Sequence, residues 1–150
     1  PFHPSGETPP MSMHYFIATA DEIACPEMLD GPEHCDFPWV ASDGVDCFAL
    51  SSLDELVTGA SCRMPELVFE EGEEGPSLWH VSPDLLHAIA SLSGTELIEI
   101  AGQWSENEEW EVVLSSSNAA KFLEEFLREL FTLAKQGREE DRQLFLWICL

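Results

Sequence analysis

Residues 121–150 read KFLEEFLRELFTLAKQGREEDRQLFLWICL, and a change of rhythm inside this stretch decides the fold. Phe122, Leu123, Phe126, Leu127, Leu130, Phe131, Leu133 and Ala134 recur at three- and four-residue steps, the spacing of one helical face. The spacing predicts a helix from about Ser117 to Gln136, with Gly137 as its stop. Lys121 with Glu125, and Glu124 with Arg128, stand one turn apart on its wet side. The rhythm then ends. Leu144 to Leu150, LFLWICL, is a continuous apolar run, which suits a strand covered on both faces inside a sheet. A long amphipathic helix leading into a doubly buried strand predicts an α+β domain with a small mixed or antiparallel sheet.

Working back along the chain, His14 to Ala20 reads as a first strand, because it is short, apolar and rich in aromatic and β-branched residues. Residues 21–45 are broken by Pro26, Gly31, Pro32, Pro38 and Gly44 and read as irregular, with one short helix near 20–30. Asp46 to Leu50 reads as a short strand. Ser51-Ser52 then opens a helix over Leu53 to Val57, its acids suiting the positive end of the dipole, and Gly59 closes it. Arg63 to Glu70 and Pro76 to Val81 form the arms of a hairpin with a wide acidic tip. Ser82-Pro83-Asp84 opens another helix, with Ser at the cap and Pro at the first helical position. A further helical pattern runs from Thr95 to Trp104, although its I-E-I alternation also permits a strand. Trp110 to Leu114 is of strand type. Residues 1–10, PFHPSGETPP, read as a tail, with Met11 as the expected start and 11–150 as one domain.

Charge is distributed very unevenly. Residues 1–120 hold a single basic side chain, Arg63, against twenty-three of the 29 acids, so the formal net charge of -23 belongs almost wholly to them. Hydrophobic residues at 45% and aromatics at 10% exceed what a disordered acidic chain carries, so the acids decorate a packed body. Such a surface argues against binding DNA, RNA or an anionic membrane through phosphates, since that affinity comes from Lys and Arg. It favours a cationic protein, a polyamine or a metal ion. No stretch is apolar for long enough to span a membrane.

Two acidic turns stand out, one formed by Glu70, Glu71, Glu73 and Glu74, the other by Glu106, Glu108, Glu109 and Glu111. Trp79, Trp104 and Trp110 lie beside them or between them. Rings interleaved with carboxylates clasp Lys or Arg side chains, charge and π-face acting together. The competing readings are a solvated loop for each turn and a core position for each ring. The alternating Asp and Asn of a calcium loop are absent from both turns. The five cysteines (Cys25, Cys35, Cys47, Cys62 and Cys149) are odd in number, and none stands in a CxxC pair, which favours free thiols in a reducing cytoplasm. His34 beside Cys35, with Cys25 and Cys47 nearby, offers soft metal ligands at spacings that match no structural zinc class. His80 is a second candidate centre for chemistry. No G-x-S-x-G elbow, phosphate-cradling Gly loop or paired-His zinc helix is present.

Met11-Ser12-Met13-His14-Tyr15-Phe16 is followed by a helical segment, then Leu56-Val57-Thr58-Gly59, the Ser82-Pro83 helix start, the long helix after Ser117 and the closing apolar strand. This order resembles the YfbM-like proteins, small α+β bacterial domains of unknown function. The resemblance implies the fold class and a bacterial cytoplasm, and it assigns no site and no cofactor. The expected function is a non-enzymatic module whose acidic face meets a basic protein partner, of the inhibitor, immunity or nucleic-acid-mimic type. The alternatives are a small enzyme or metal protein using the His and Cys residues, and an acidic domain whose charge serves solubility alone.

Overall fold

The apolar run near the C-terminus is the middle of the sheet. The computed structural model describes residues 12–24, 37–42, 45–61, 63–71, 75–106 and 116–149. Five strands, β1 (Ser12–Ala18), β2 (Trp39–Ser42), β3 (Glu66–Glu70), β4 (Ser77–His80) and β5 (Gln143–Cys149), form one sheet in the order β2-β1-β5-β4-β3. Every neighbouring pair is antiparallel. Helices α1 (Cys47–Thr58), α2 (Pro83–Ala90), α3 (Gly94–Ser105) and α4 (Ser116–Glu140) complete the fold, which is α+β.

Side-chain alternation along the strands sorts two cores. Met13, Tyr15, Ile17, Leu144 and Leu146 point to the helices, where they meet Leu50, Leu53, Leu85, Ile89, Leu97, Leu123, Leu127 and Leu130. Phe16, Ala18, Leu78, Phe145 and Trp147 form a second cluster on the other face, with Ile23, Phe37 and Phe69 packed against it. Phe16 lies between Phe37 and Phe145, ring centroids at 5.4 and 5.6 Å. Burial on both faces is why β5 shows no polar alternation.

Local chemistry explains the helix boundaries, and in two places it overturns the sequence expectation. Asp46 to Leu50 is not a strand. Asp46 is the cap of α1, its carboxylate accepting the Ala49 N–H at 3.0 Å, so the helix starts four residues before Ser51. Its end is as expected, Gly59 adopting φ 81° with its N–H on the Glu55 carbonyl. Ser82 caps α2 with Pro83 in the first turn, and Ser93 with Glu96 forms a reciprocal capping box on α3, which settles residues 94–105 as helix.

Gly137 is the second correction, since α4 runs through it to Glu140. The helix closes instead on Asp141, at φ 57°, with the Arg142 N–H returning to the Gly137 carbonyl at 2.8 Å. The glycine serves packing. A Cβ there would lie 3.0 Å from Ile17 Cγ2, 3.3 Å from the Arg142 carbonyl oxygen and 3.5 Å from Leu86 Cδ1. The missing side chain lets α4 approach β1 and α2 closely. Gly137→Val is expected to lower stability by about 1–3 kcal/mol through overpacking, read as the shift of a urea midpoint; an unshifted midpoint would show that the neighbours yield freely.

β2 was not foreseen, because it is only four residues long and sits in the stretch punctuated by Pro and Gly. The short helix expected near 20–30 corresponds to a 3-10 turn at Glu22–Ala24. The expected tail at 1–10 and the strand at 110–114 lie outside the described residues. Among the described residues, no helix is long and apolar enough to cross a membrane.

Candidate partner-binding surface

The described members of the two acidic turns belong to different features. Glu70 ends β3 opposite Ser77, and the Glu71 N–H closes the hairpin onto the Pro76 carbonyl at 2.9 Å. Both are exposed, as is Glu66 at the other end of the strand. Met64, Leu67 and Val68 add exposed apolar surface beside them. Glu106 caps the C-terminus of α3 and shares an open groove of about 260 Å³ with Gln103 of α3 and Ser52, Glu55 and Leu56 of α1. Phe48 stands on the same face of α1, one turn before Ser52, and is 69% exposed. Glu73, Glu74, Glu108, Glu109, Trp110 and Glu111 lie outside the described residues.

The tryptophans divide differently from expectation. Trp104 is fully buried, and its indole N–H donates to the Ala49 carbonyl at 3.2 Å, so it pins α3 to α1 and offers nothing to a partner. The reason is helical phase, since Trp104 falls on the face of α3 that carries the buried Leu97 and Ala101. Trp79 is half-buried, packs against the helix-side core and donates to Ser77 Oγ at 3.0 Å. Among the described tryptophans the exposed ring is Trp39, 43% accessible on β2, which was outside the expected site. Pro38 before it was the available signal, because a residue without an N–H marks the rim of a sheet.

Arg63 is turned inward. Its Nε and Nη2 form a fork on Asp54, at 2.7 Å to Oδ2 and 2.8 Å to Oδ1, and its Nη1 reaches Asp84 Oδ2 at 3.1 Å. The Thr58 hydroxyl donates to Asp54 Oδ1 at 2.6 Å. Burial pushes the Asp54 carboxyl up, but the hydrogen bonds from Arg63 and Thr58 and the guanidinium charge outweigh it and hold the group below the usual carboxylate range. Elsewhere Arg142 pairs with Glu22 and Glu140, both at 3.0 Å, and Arg128 with Glu124 at 3.2 Å. Among the described residues no cation pairs with Glu55, Glu66, Glu70, Glu71 or Glu106.

No family model, curated protein or solved structure matches this chain.

The groups considered for catalysis or metal binding are not brought together where they are described. Cys47 is 7% exposed at the start of α1, and burial with the neighbouring Asp46 charge pushes its thiol up to about 11, opposite to the shift that activates a nucleophile. His80 Nε2 lies 3.3 Å from Gln143 Oε1, with its ring against Phe145. Among the described residues no three His, Cys, Asp or Glu side chains are placed to hold a metal ion. His34, Cys35 and Cys25 lie outside them.

Proposed function

We propose that this chain is a non-enzymatic binding domain whose acidic surface receives a basic protein partner. The observation that carries this reading is the use made of Arg63, the lone cation of residues 1–120, which is spent on Asp54 and Asp84. Among the described residues Glu55, Glu66, Glu70, Glu71 and Glu106 pair with no cation, and their field acts outward, where it speeds the approach of a cationic surface. A charge serving solubility alone gives no reason for exposed apolar groups beside the acids. Here Leu56 and Phe48 accompany Glu55 and Glu106, while Leu67 and Val68 accompany Glu66 and Glu70. A reducing cytoplasm belongs to the same proposal, supported by the free thiol of Cys47. Kinship with the YfbM-like domains is likewise proposed, on the order of elements.

The test is calorimetric titration with a lysine-rich peptide at increasing salt. Binding is expected, with log affinity falling as log salt rises. The pair Glu55→Gln and Glu106→Gln is expected to weaken it more than Glu139→Gln with Asp141→Asn, which removes the same charge from the end of α4. Equal losses from the two pairs, or no binding at low salt, would overturn the reading.

A further inference from the structure

Among the described residues the sheet ends at β2, and the phase of its ladder shows which backbone groups face outward. The Ile17 N–H donates to the Pro38 carbonyl at 3.4 Å, which makes 17 and 38 a hydrogen-bonded pair. Such pairs alternate along an antiparallel ladder. Val40 opposite Tyr15 and Ser42 opposite Met13 therefore turn their amides towards β1. Trp39 and Ala41 turn theirs to the open side, where no described backbone group pairs with them.

An open groove of about 480 Å³ lies along this edge, walled by Trp39, Val40 and Ala41 of β2 and by Glu129 and Thr132 of α4. A strand edge facing a helix across a groove is the geometry into which an extended peptide adds as another strand. Side chains of an added strand would alternate. Those on the helix side enter the groove between Val40 and Glu129, and those on the other side lie along the indole of Trp39. That ring is braced by His14, centroid to centroid 4.8 Å, and still 43% exposed. Glu129 is exposed, and its neighbour Arg128 is tied to Glu124.

The opposite edge is less suited to this role. β3 carries a register shift between Leu67 and Phe69, a feature that blunts an edge. A second copy of this chain is disfavoured as the occupant of the β2 groove, because two bodies of charge -23 repel.

We propose that β2 and α4 form a peptide-binding groove, in which a partner segment alternating Lys or Arg with apolar residues adds beside β2, its cation on Glu129 and its apolar side chains on Trp39. The proposal takes from the preceding reading the sign of the partner's charge. The probe is an extended peptide alternating Val and Lys, titrated into the protein by calorimetry and located by amide NMR shifts.

Ala41→Pro removes an outward N–H without touching the ladder to β1, and proline is tolerated at such an edge position. It is expected to weaken binding by about tenfold with the melting temperature unchanged. Glu129→Lys is expected to weaken the Val/Lys peptide by a similar factor and to strengthen a Val/Glu peptide. It keeps the test decisive if Ala41→Pro folds poorly, because Glu129 is on the helix surface. Absence of saturable Val/Lys binding, or unchanged affinity in Glu129→Lys, would overturn the groove. Loss of a wild-type dimer in Ala41→Pro, read by sedimentation, would assign the edge to a second copy and also overturn it. Should the lysine-rich peptide still bind through Glu55 and Glu106 in either case, the acidic-surface reading survives alone.

Discussion

Removing residues 144–150 is expected to abolish cooperative folding. β5 is hydrogen-bonded to β1 on one side and to β4 on the other, so its loss parts the sheet into two two-stranded ribbons. Such ribbons are marginal by themselves in water. The energetic scale agrees. Leu144, Phe145, Leu146 and Trp147 are each under 5% exposed. At about 1.5–3 kcal/mol per large side chain their burial contributes on the order of 6–12 kcal/mol, as much as the whole stability of an ordinary domain. Far-UV circular dichroism and urea titration provide the check. A truncated chain that stayed in solution and melted in one sharp transition would contradict the central placement of β5.

Arg63→Ala is expected to destabilise the protein by about 3–5 kcal/mol at neutral pH. The Asp54 side chain is 3% exposed, and the substitution leaves it charged, buried and held by Thr58 alone. Most of the effect is the cost of that stranded carboxylate. The Asp84 arm adds little, since Asp84 is 78% exposed and an exposed ion pair is worth at most about 1 kcal/mol. Arg63→Lys keeps a charge but loses the fork, and it is expected to fall between wild type and alanine. Replacing Asp54 and Arg63 together by apolar residues is expected to recover part of the loss, because neither charge is then left alone.

The sign with pH follows from the same geometry. The Asp54 carboxyl is held below its usual range in the folded state, whereas the unfolded chain titrates near about 3.9. The pair therefore contributes fully above about pH 4, and its contribution fades as pH falls through the lower folded value. Urea midpoints of wild type and Arg63→Ala should differ widely at pH 7 and converge in strong acid. Coincident midpoints at pH 7 would show that the fork carries no stability.

How much was legible depended on whether a signal was local. The α4 face and the β5 run were readable because a period of 3.6 and an unbroken apolar run each have one economical burial. The caps at Ser82 and the stop at Gly59 were readable because they act within a few residues. Asp46 was misread because its capping role depends on which of two neighbouring segments coils. Gly137 was misread because a glycine that ends a helix and one that admits a neighbour look alike until Ile17 and Leu86 are in place.

The candidate site was less legible than the fold. Trp104 and Trp39 are the same residue type near comparable acids, yet one is a core strut and the other stands on a sheet edge. Ring chemistry is set by the residue; exposure is set by which face of which element meets the sheet. The sequence alone determined the sign and asymmetry of the charge, the α+β class and the burial of the last strand, since these depend on residue type and spacing along the chain. Only the tertiary structure decided that Arg63 is consumed by Asp54, that β2 is the outermost described strand and lies beside α4, and that Trp39 rather than Trp104 faces outward. Those are facts of long-range juxtaposition, and no local rule encodes which distant segments become neighbours.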